Sequence, residues 1–149
     1  LSNEQEACLS VLMGRIYKQD DLAFLNLMST AYKEVEKICK PSDPSWFADI
    51  LGLLLNHVPG ETGKIGIVFY HGENAEGKDC IFIKLRRSIG YDGFDLRQVE
   101  EPIKRAFDVN YMGGGGHSGA ASFRVNSYAE KDFFLKFKPV ADFIKSNIK

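Results

Sequence analysis

Met112-Gly113-Gly114-Gly115-Gly116-His117-Ser118-Gly119-Ala120-Ala121-Ser122-Phe123 holds four consecutive glycines, closed by a histidine and followed by two alanines. Glycine loses more backbone freedom on folding than any other residue, so ordering four in a row is costly. A folded domain that keeps such a run needs backbone at close range, where a ligand can rest on main-chain N–H groups with no Cβ in the way. His117 ends the run with a polar, partly cationic tip.

Four explanations compete. A dinucleotide fold needs G-x-G-x-x-G directly after a strand; here a helical stretch and Asp108-Val109-Asn110-Tyr111 precede the run. A P-loop needs Lys-Ser/Thr after its last glycine, and His117-Ser118 does not supply it. A flexible linker fits poorly with Tyr111, Met112, Ala120 and Ala121 on either side, which suit packing. The fourth is an anion nest, in which successive N–H groups converge on one oxyanion. A short helical turn over residues 117–121 would add its N-terminal charge. On the residues alone, the phosphate nest and a merely structural glycine turn both stay open.

The pattern around the run predicts an α+β fold. Leu9, Leu12, Met13, Ile16 and Tyr17 recur at helical spacing after Ser2, a candidate N-cap. Phe24, Met28, Ala31, Val35 and Ile38 read as a second helical stripe that stops before Pro41. Asp43-Pro44 opens a third helix, apolar nearly all round through Val58 and expected to be buried. Residues 64–70, β-branched and aromatic between turn residues, and residues 79–87, which alternate, read as two strands of an antiparallel hairpin. Ile81, Ile83 and Leu85 share one face; Phe82, Lys84 and Arg86 share the other. Asp95 caps a helix that Pro102 must kink or restart, residues 122–125 suit a short strand, and Ser127 caps a last helix through Ile144. The expected organisation is a helical linker or tail of a preceding domain over 1–40, then one unit over 41–149 with a small mixed sheet packed by helices.

Composition narrows the classes. Over 149 residues the net charge is −1, so no bulk positive field draws nucleic acid and any polyanion contact is a local patch. No stretch approaches a membrane span, and there is no signal-peptide pattern. Cys8, Cys39 and Cys80 are far apart, which reads as free thiols in a reducing cytoplasm. A chain that begins at Leu1 rather than Met is expected to be cut from something longer.

Gly113-Gly114-Gly115-Gly116-His117-x-x-Ala120-Ala121 resembles the signature of the C-terminal, DHH-associated domain of the DHH phosphoesterases. That family includes RecJ-type exonucleases, nano-RNA and phosphoadenosine phosphate phosphatases, and cyclic-dinucleotide phosphodiesterases. Its members have a glycine after the two alanines, where this chain has Ser122. They also carry an upstream strand of the form hydrophobic-Ser-hydrophobic-Arg-Ser, to which Ile83-Lys84-Leu85-Arg86-Arg87-Ser88 is similar, with Lys84 in place of the serine. Alternation favours Arg86 over Arg87 as the family arginine, because it leaves Ile83 and Leu85 on the buried face. The resemblance covers roughly residues 60–126.

It implies a substrate-binding domain. Gly113, Gly114, Gly115, Gly116 and His117 would hold a substrate phosphate, with Arg86 and Lys84 adding charge. Hydrolysis in the family is attributed to a two-manganese site in a separate N-terminal domain. The three histidines His57, His71 and His117, with no Asp-His-His, His-x-Asp or Asp-x-Asp, do not assemble one here. No cofactor is therefore expected in this chain, with manganese implied for the missing domain, and the chain alone is expected to be inactive. The expected partners are a nucleotide or short oligonucleotide and the catalytic domain of the same protein, with a second copy of the chain as a candidate. The rival reading is a stand-alone, non-catalytic nucleic-acid-binding module.

Overall fold

A computed structural model of the chain describes residues 1–28 and 44–149. Helix α1 (Asn3–Met13) starts where the sequence says it should. The Ser2 side chain accepts from the Gln5 N–H while the Gln5 side chain accepts from Ser2, a reciprocal capping box. The helix stops at Gly14, before Ile16 and Tyr17, and Tyr17 opens strand β1 (Tyr17–Gln19).

Strand β2 (Leu22–Asn26) corrects the second helical stripe at its start. Leu22, Ala23, Phe24 and Leu25 are all buried, because helices or strands cover both faces of this strand. A continuous apolar run carries no period, so spacing cannot distinguish such a strand from a helix. Met28, the next residue of that stripe, follows the strand and packs against the core; Ala31, Val35, Ile38, the Asp43 cap, the Trp46 side chain and the boundary expected at residue 40 lie outside the described residues.

Helix α2 (Pro44–His57) runs into a 3-10 turn over Val58–Glu61. It buries Ile50, Leu54 and Leu55 but leaves Leu53 41% exposed, so it is one-sided rather than apolar all round. Strands β3 (Ile65–Glu73) and β4 (Asp79–Arg87) form the expected antiparallel hairpin. Asp95 caps a 3-10 turn over Leu96–Val99, through its side chain and the Arg97 N–H. This turn passes into α3 (Glu100–Phe107) with Pro102 in the first turn of the α-helix, where its missing N–H costs nothing. Strands β5 (Tyr111–His117) and β6 (Ala120–Asn126) follow, then α4 (Glu130–Asn147). The cap expected from Ser127 is not made: the helix begins after Ala129 with no side-chain cap.

The six strands lie in the order β1-β2-β3-β4-β6-β5, with β2 and β3 parallel and every other neighbouring pair antiparallel. This is an α+β fold. On one face, Ile65, Ile67, Phe69, Ile81, Ile83, Leu85, Phe123 and Val125 pack against α3 and α4 through Ile103, Phe107, Phe133, Phe137 and Ile144. Burying each of those side chains contributes about 1.5–3 kcal/mol. On the other face, α1 and α2 cover Ala23, Leu25 and Val68. The half of that second face built from β4, β6 and β5 carries instead, among the described residues, a cluster of cations without carboxylate partners.

Of the cysteines, Cys80 is a free, buried thiol. Cys8 is disulfide-bonded, which corrects the expectation of free thiols throughout. No described helix is long and apolar enough to cross a membrane.

Candidate anion-binding face

The glycine run is a strand, not a nest or a helical turn. Gly113 has φ +104°, and Gly114, Gly115 and Gly116 lie at 157–159°, at the edge of extended backbone. The four glycines pair in order with Arg124, Phe123, Ser122 and Ala121 of β6, and His117 pairs with Ala120. A bulge at Met112 sets the frame. Two glycines are required by the neighbouring strand. A Cβ on Gly114 would strike the Ser122 carbonyl oxygen and lie 2.7 Å from Phe123 Cα; one on Gly116 would strike the Ala120 carbonyl and lie 2.6 Å from Ala121 Cα. Gly115 is different: nothing lies within 4 Å of its Cβ position. It leaves open floor on the solvent side. Strand β5 is also the sheet's outer edge, so one row of its backbone N–H and C=O groups has no ladder partner.

Register across β3, β4, β6 and β5 places the candidate residues in rows. Arg86 stands opposite Ala120, which stands opposite His117. In the next row, Lys84 faces Ser122, which faces Gly115. In the third, Tyr70 pairs with Phe82, Phe82 with Arg124, and Arg124 with Gly113. Successive rows are two residues apart, so all these residues share one face. Small residues in the middle, Ala120, Ser122 and Gly115, form a shallow basin rimmed by Arg86, Lys84, His117 and Arg124.

Among the described residues, no carboxylate forms an ion pair with Lys84, Arg86 or Arg124. Burial pulls the Lys84 ammonium below the usual lysine range, and the like charges of Arg86 and Arg124 push the same way. One Nη of Arg86 donates to the Leu85 carbonyl at 3.0 Å, which aims the guanidinium and leaves its other N–H groups for a ligand. His117 is aimed too. Its Nδ1 accepts from the Gly119 N–H at 3.1 Å, so the neutral ring carries its hydrogen on Nε2, toward solvent.

Arg87 lies on the opposite alternation and does a different job. It donates to the Phe94 carbonyl at 3.0 Å and reaches Ser118 Oγ at 3.5 Å, and its own N–H bonds the Gly119 carbonyl. It ties the loop after β4 to the β5–β6 turn. Four further polar or aromatic side chains are held within the fold. Tyr111 donates to Glu100 at 2.7 Å, Phe123 is 1% exposed in the core, Tyr91 donates to the Lys149 carbonyl, and His57 sits 3.2 Å from Glu61.

The face also holds residues that sequence reasoning passed over. Tyr70 and Phe82 stack at 5.0 Å with their rings 6° apart, at the end of the basin away from His117. The signal was there, since Phe82 alternates with Lys84 and Arg86. A separate groove of about 380 Å³ between β1 and α4 opens on the other side of the sheet, lined by Tyr17, Phe24 and Phe137. Its Lys138 is paired with Asp142, so it offers no comparable cationic cluster. Among the described residues no three His, Cys, Asp or Glu are grouped to hold a metal ion.

The sequence matches no protein-family model and no curated protein. Solved structures do match. A pGpG-specific phosphodiesterase, PggH of Vibrio cholerae, superposes with TM-score 0.56 at 17% identity over 97% of this chain. An exopolyphosphatase-related protein of Bacteroides fragilis gives 0.53 at 17% identity over 98%. A DHH domain from a protein described as belonging to a family of ribosomal proteins gives 0.57 at 16% identity over 98%. The chain shares their fold. It spans only 40%, 36% and 31% of those three chains. At such identities the likeness is one of fold.

Proposed function

We propose that the chain is the substrate-binding, DHH-associated domain of a DHH-family phosphoesterase, and that it grips a phosphate of a nucleotide or short oligonucleotide in the basin between β4 and β5. The observation that carries the reading is the meeting of Lys84, Arg86 and Arg124, without carboxylate partners, around a floor that Gly115, Ser122 and Ala120 keep low. Three unpaired cations on one sheet face destabilise each other until an anion arrives. A phosphate would take charge-assisted hydrogen bonds from Arg86 and Lys84 and one from His117 Nε2, each contributing about 1.5–3 kcal/mol. Gly115 lets the ligand approach the main chain, and the unpaired edge of β5 adds N–H groups.

The fold neighbours support the family part, because their names include a phosphodiesterase and a DHH domain. In this reading, bond cleavage with manganese belongs to a separate catalytic domain of the whole protein. The chain orients the substrate and neutralises its charge, which lowers the barrier by positioning. We place the whole protein in the cytoplasm. The Cys8 disulfide weighs against that placement, and a thiol count on protein isolated from its native cell decides it.

Calorimetric titration of the chain with AMP and with adenosine tests the binding reading. AMP should bind, adenosine should bind far more weakly, and raising the salt should weaken AMP. Equal affinity for the two would overturn it. Added manganese should give the chain alone no phosphodiesterase turnover; measurable turnover would contradict the division of labour.

A further inference from the structure

Resting on the phosphate reading above, we infer that Glu73 and Glu76, at the turn between β3 and β4, are specificity-determining residues. They form an acidic stop at the end of the line of cations and keep a polyanion from running on past Arg124.

The cations of the open face have a direction. Arg86 is in the first row, Lys84 in the second and Arg124 in the third, with Arg124 one strand over from the other two. A row is about 7 Å along the strand, comparable with the spacing of consecutive phosphates in an extended single-stranded nucleotide chain. A polyanion that starts at Arg86 and follows the positive charge therefore heads for the β3–β4 turn. There the sign changes. A groove of about 300 Å³ beside Arg124 is lined by Phe82, Met112 and residues 73–76, which include Glu73 and Glu76.

The turn holds those carboxylates in place. Asn74 Oδ1 accepts from the Glu76 N–H at 3.0 Å and from the Lys78 N–H at 2.9 Å, and the Asn74 N–H donates to the Lys78 carbonyl at 3.0 Å. Gly77, at φ +77°, supplies the left-handed step. Glu73 stands directly opposite Asp79 in the register, and like charges so opposed weaken a hairpin. Among the described residues no cation forms an ion pair with Glu73, Glu76 or Asp79. Lys78 is on the same turn but does not line the groove. This acidic end contributes nothing to the hairpin's stability, whereas it does act on an anionic ligand. A phosphate held at Arg86 lies more than two rows from the turn, beyond the screening length of about 8 Å at physiological salt. A phosphate carried past Arg124 falls inside that length and is repelled. The ligand selected is thus a short phosphoester whose last phosphate reaches no further than Arg124.

Calorimetry with AMP, triadenylate and octaadenylate, at one fixed salt concentration and without divalent cations, tests the stop. In the unaltered chain octaadenylate should bind no more than about threefold more tightly than triadenylate, despite its extra charge. Glu73→Gln with Glu76→Gln should tighten octaadenylate at least about fivefold and leave AMP within about twofold. Glu101→Gln with Asp132→Asn removes the same charge from α3 and α4, which pack on the other face of the sheet. That pair should change octaadenylate by less than about twofold. Octaadenylate bound beyond the threefold margin in the unaltered chain, or a Glu73 and Glu76 double variant that behaves like the Glu101 and Asp132 pair, would overturn the stop and leave the phosphate site standing. If neither AMP nor the oligoadenylates bind, the phosphate reading falls and the stop with it.

Discussion

His117 Nδ1 accepts the Gly119 N–H at 3.1 Å, two residues further along the β5–β6 turn. The turn thereby sets the tautomer of the neutral ring, with its hydrogen on Nε2. Asparagine at 117 can reproduce the acceptor but does not place a donor at the same reach. His117→Asn should therefore keep the melting temperature within about 2 °C while weakening AMP by about 1.5–3 kcal/mol, the scale of one hydrogen bond to a charged group. Unchanged affinity by calorimetry would remove His117 from the site.

The two neighbouring arginines should separate cleanly. Arg86→Gln should weaken AMP by about 10- to 100-fold with little change in unfolding, because among the described residues its guanidinium holds the Leu85 carbonyl alone. Arg87→Gln should do the reverse, since it breaks the ties to Phe94 and Ser118. Paired calorimetry and thermal melts check this; a larger binding loss for Arg87→Gln would exchange their roles.

Glycine-to-alanine substitutions along β5 should split by position. Gly114→Ala and Gly116→Ala force a methyl into the β6 backbone, so both should destabilise the chain by more than about 2 kcal/mol. Gly115→Ala meets no such obstacle. It should cost about 1 kcal/mol of stability for its backbone angle, yet reduce AMP affinity sharply by raising the basin floor. Denaturant melts of the three variants give the order, and equal losses at all three would contradict the strand geometry.

Lys84 sets function against stability. Its folded pKa is lowered, so the protonated side chain is disfavoured in the fold. That penalty holds below its folded pKa and is relieved as pH rises through it toward the ordinary value of 10.5. Lys84→Met should raise the stability of the ligand-free chain at neutral pH, by at most about 1 kcal/mol since the site is half open to water. The same change should weaken AMP. A less stable variant, or one that binds normally, would show that Lys84 is not held against its neighbours.

Much of this face was legible in the sequence. Strict alternation from Asp79 to Arg87 put Lys84 and Arg86 together and opposite Ile83 and Leu85, as the register confirms. The glycine run was marked as a place where a ligand approaches the backbone; what Gly114 and Gly116 meet is instead the backbone of β6. What alternation within one strand cannot give is the order of strands. Nothing in residues 111–126 says that β6 lies between β4 and β5, and that order is what brings His117 into the row of Arg86 and puts Arg124 on the same face, one row from Lys84. The nest reading failed for a related reason: extended glycines read the same as turn glycines until a partner strand is known. The helix read into Phe24 failed because a strand covered on both faces shows no period.

The central claim is that an anion binds over Ala120, Ser122 and Gly115 on the open half of the sheet. Amide and side-chain NMR spectra, followed as inorganic phosphate and then AMP are titrated into the 149-residue chain, test it most directly. The account predicts saturable shifts at Lys84, Arg86, Ser122, Arg124 and residues 113–117, with α3 and α4 unmoved. Shifts confined to the β1–α4 groove, or none at the basin while ligand binds elsewhere, would contradict it.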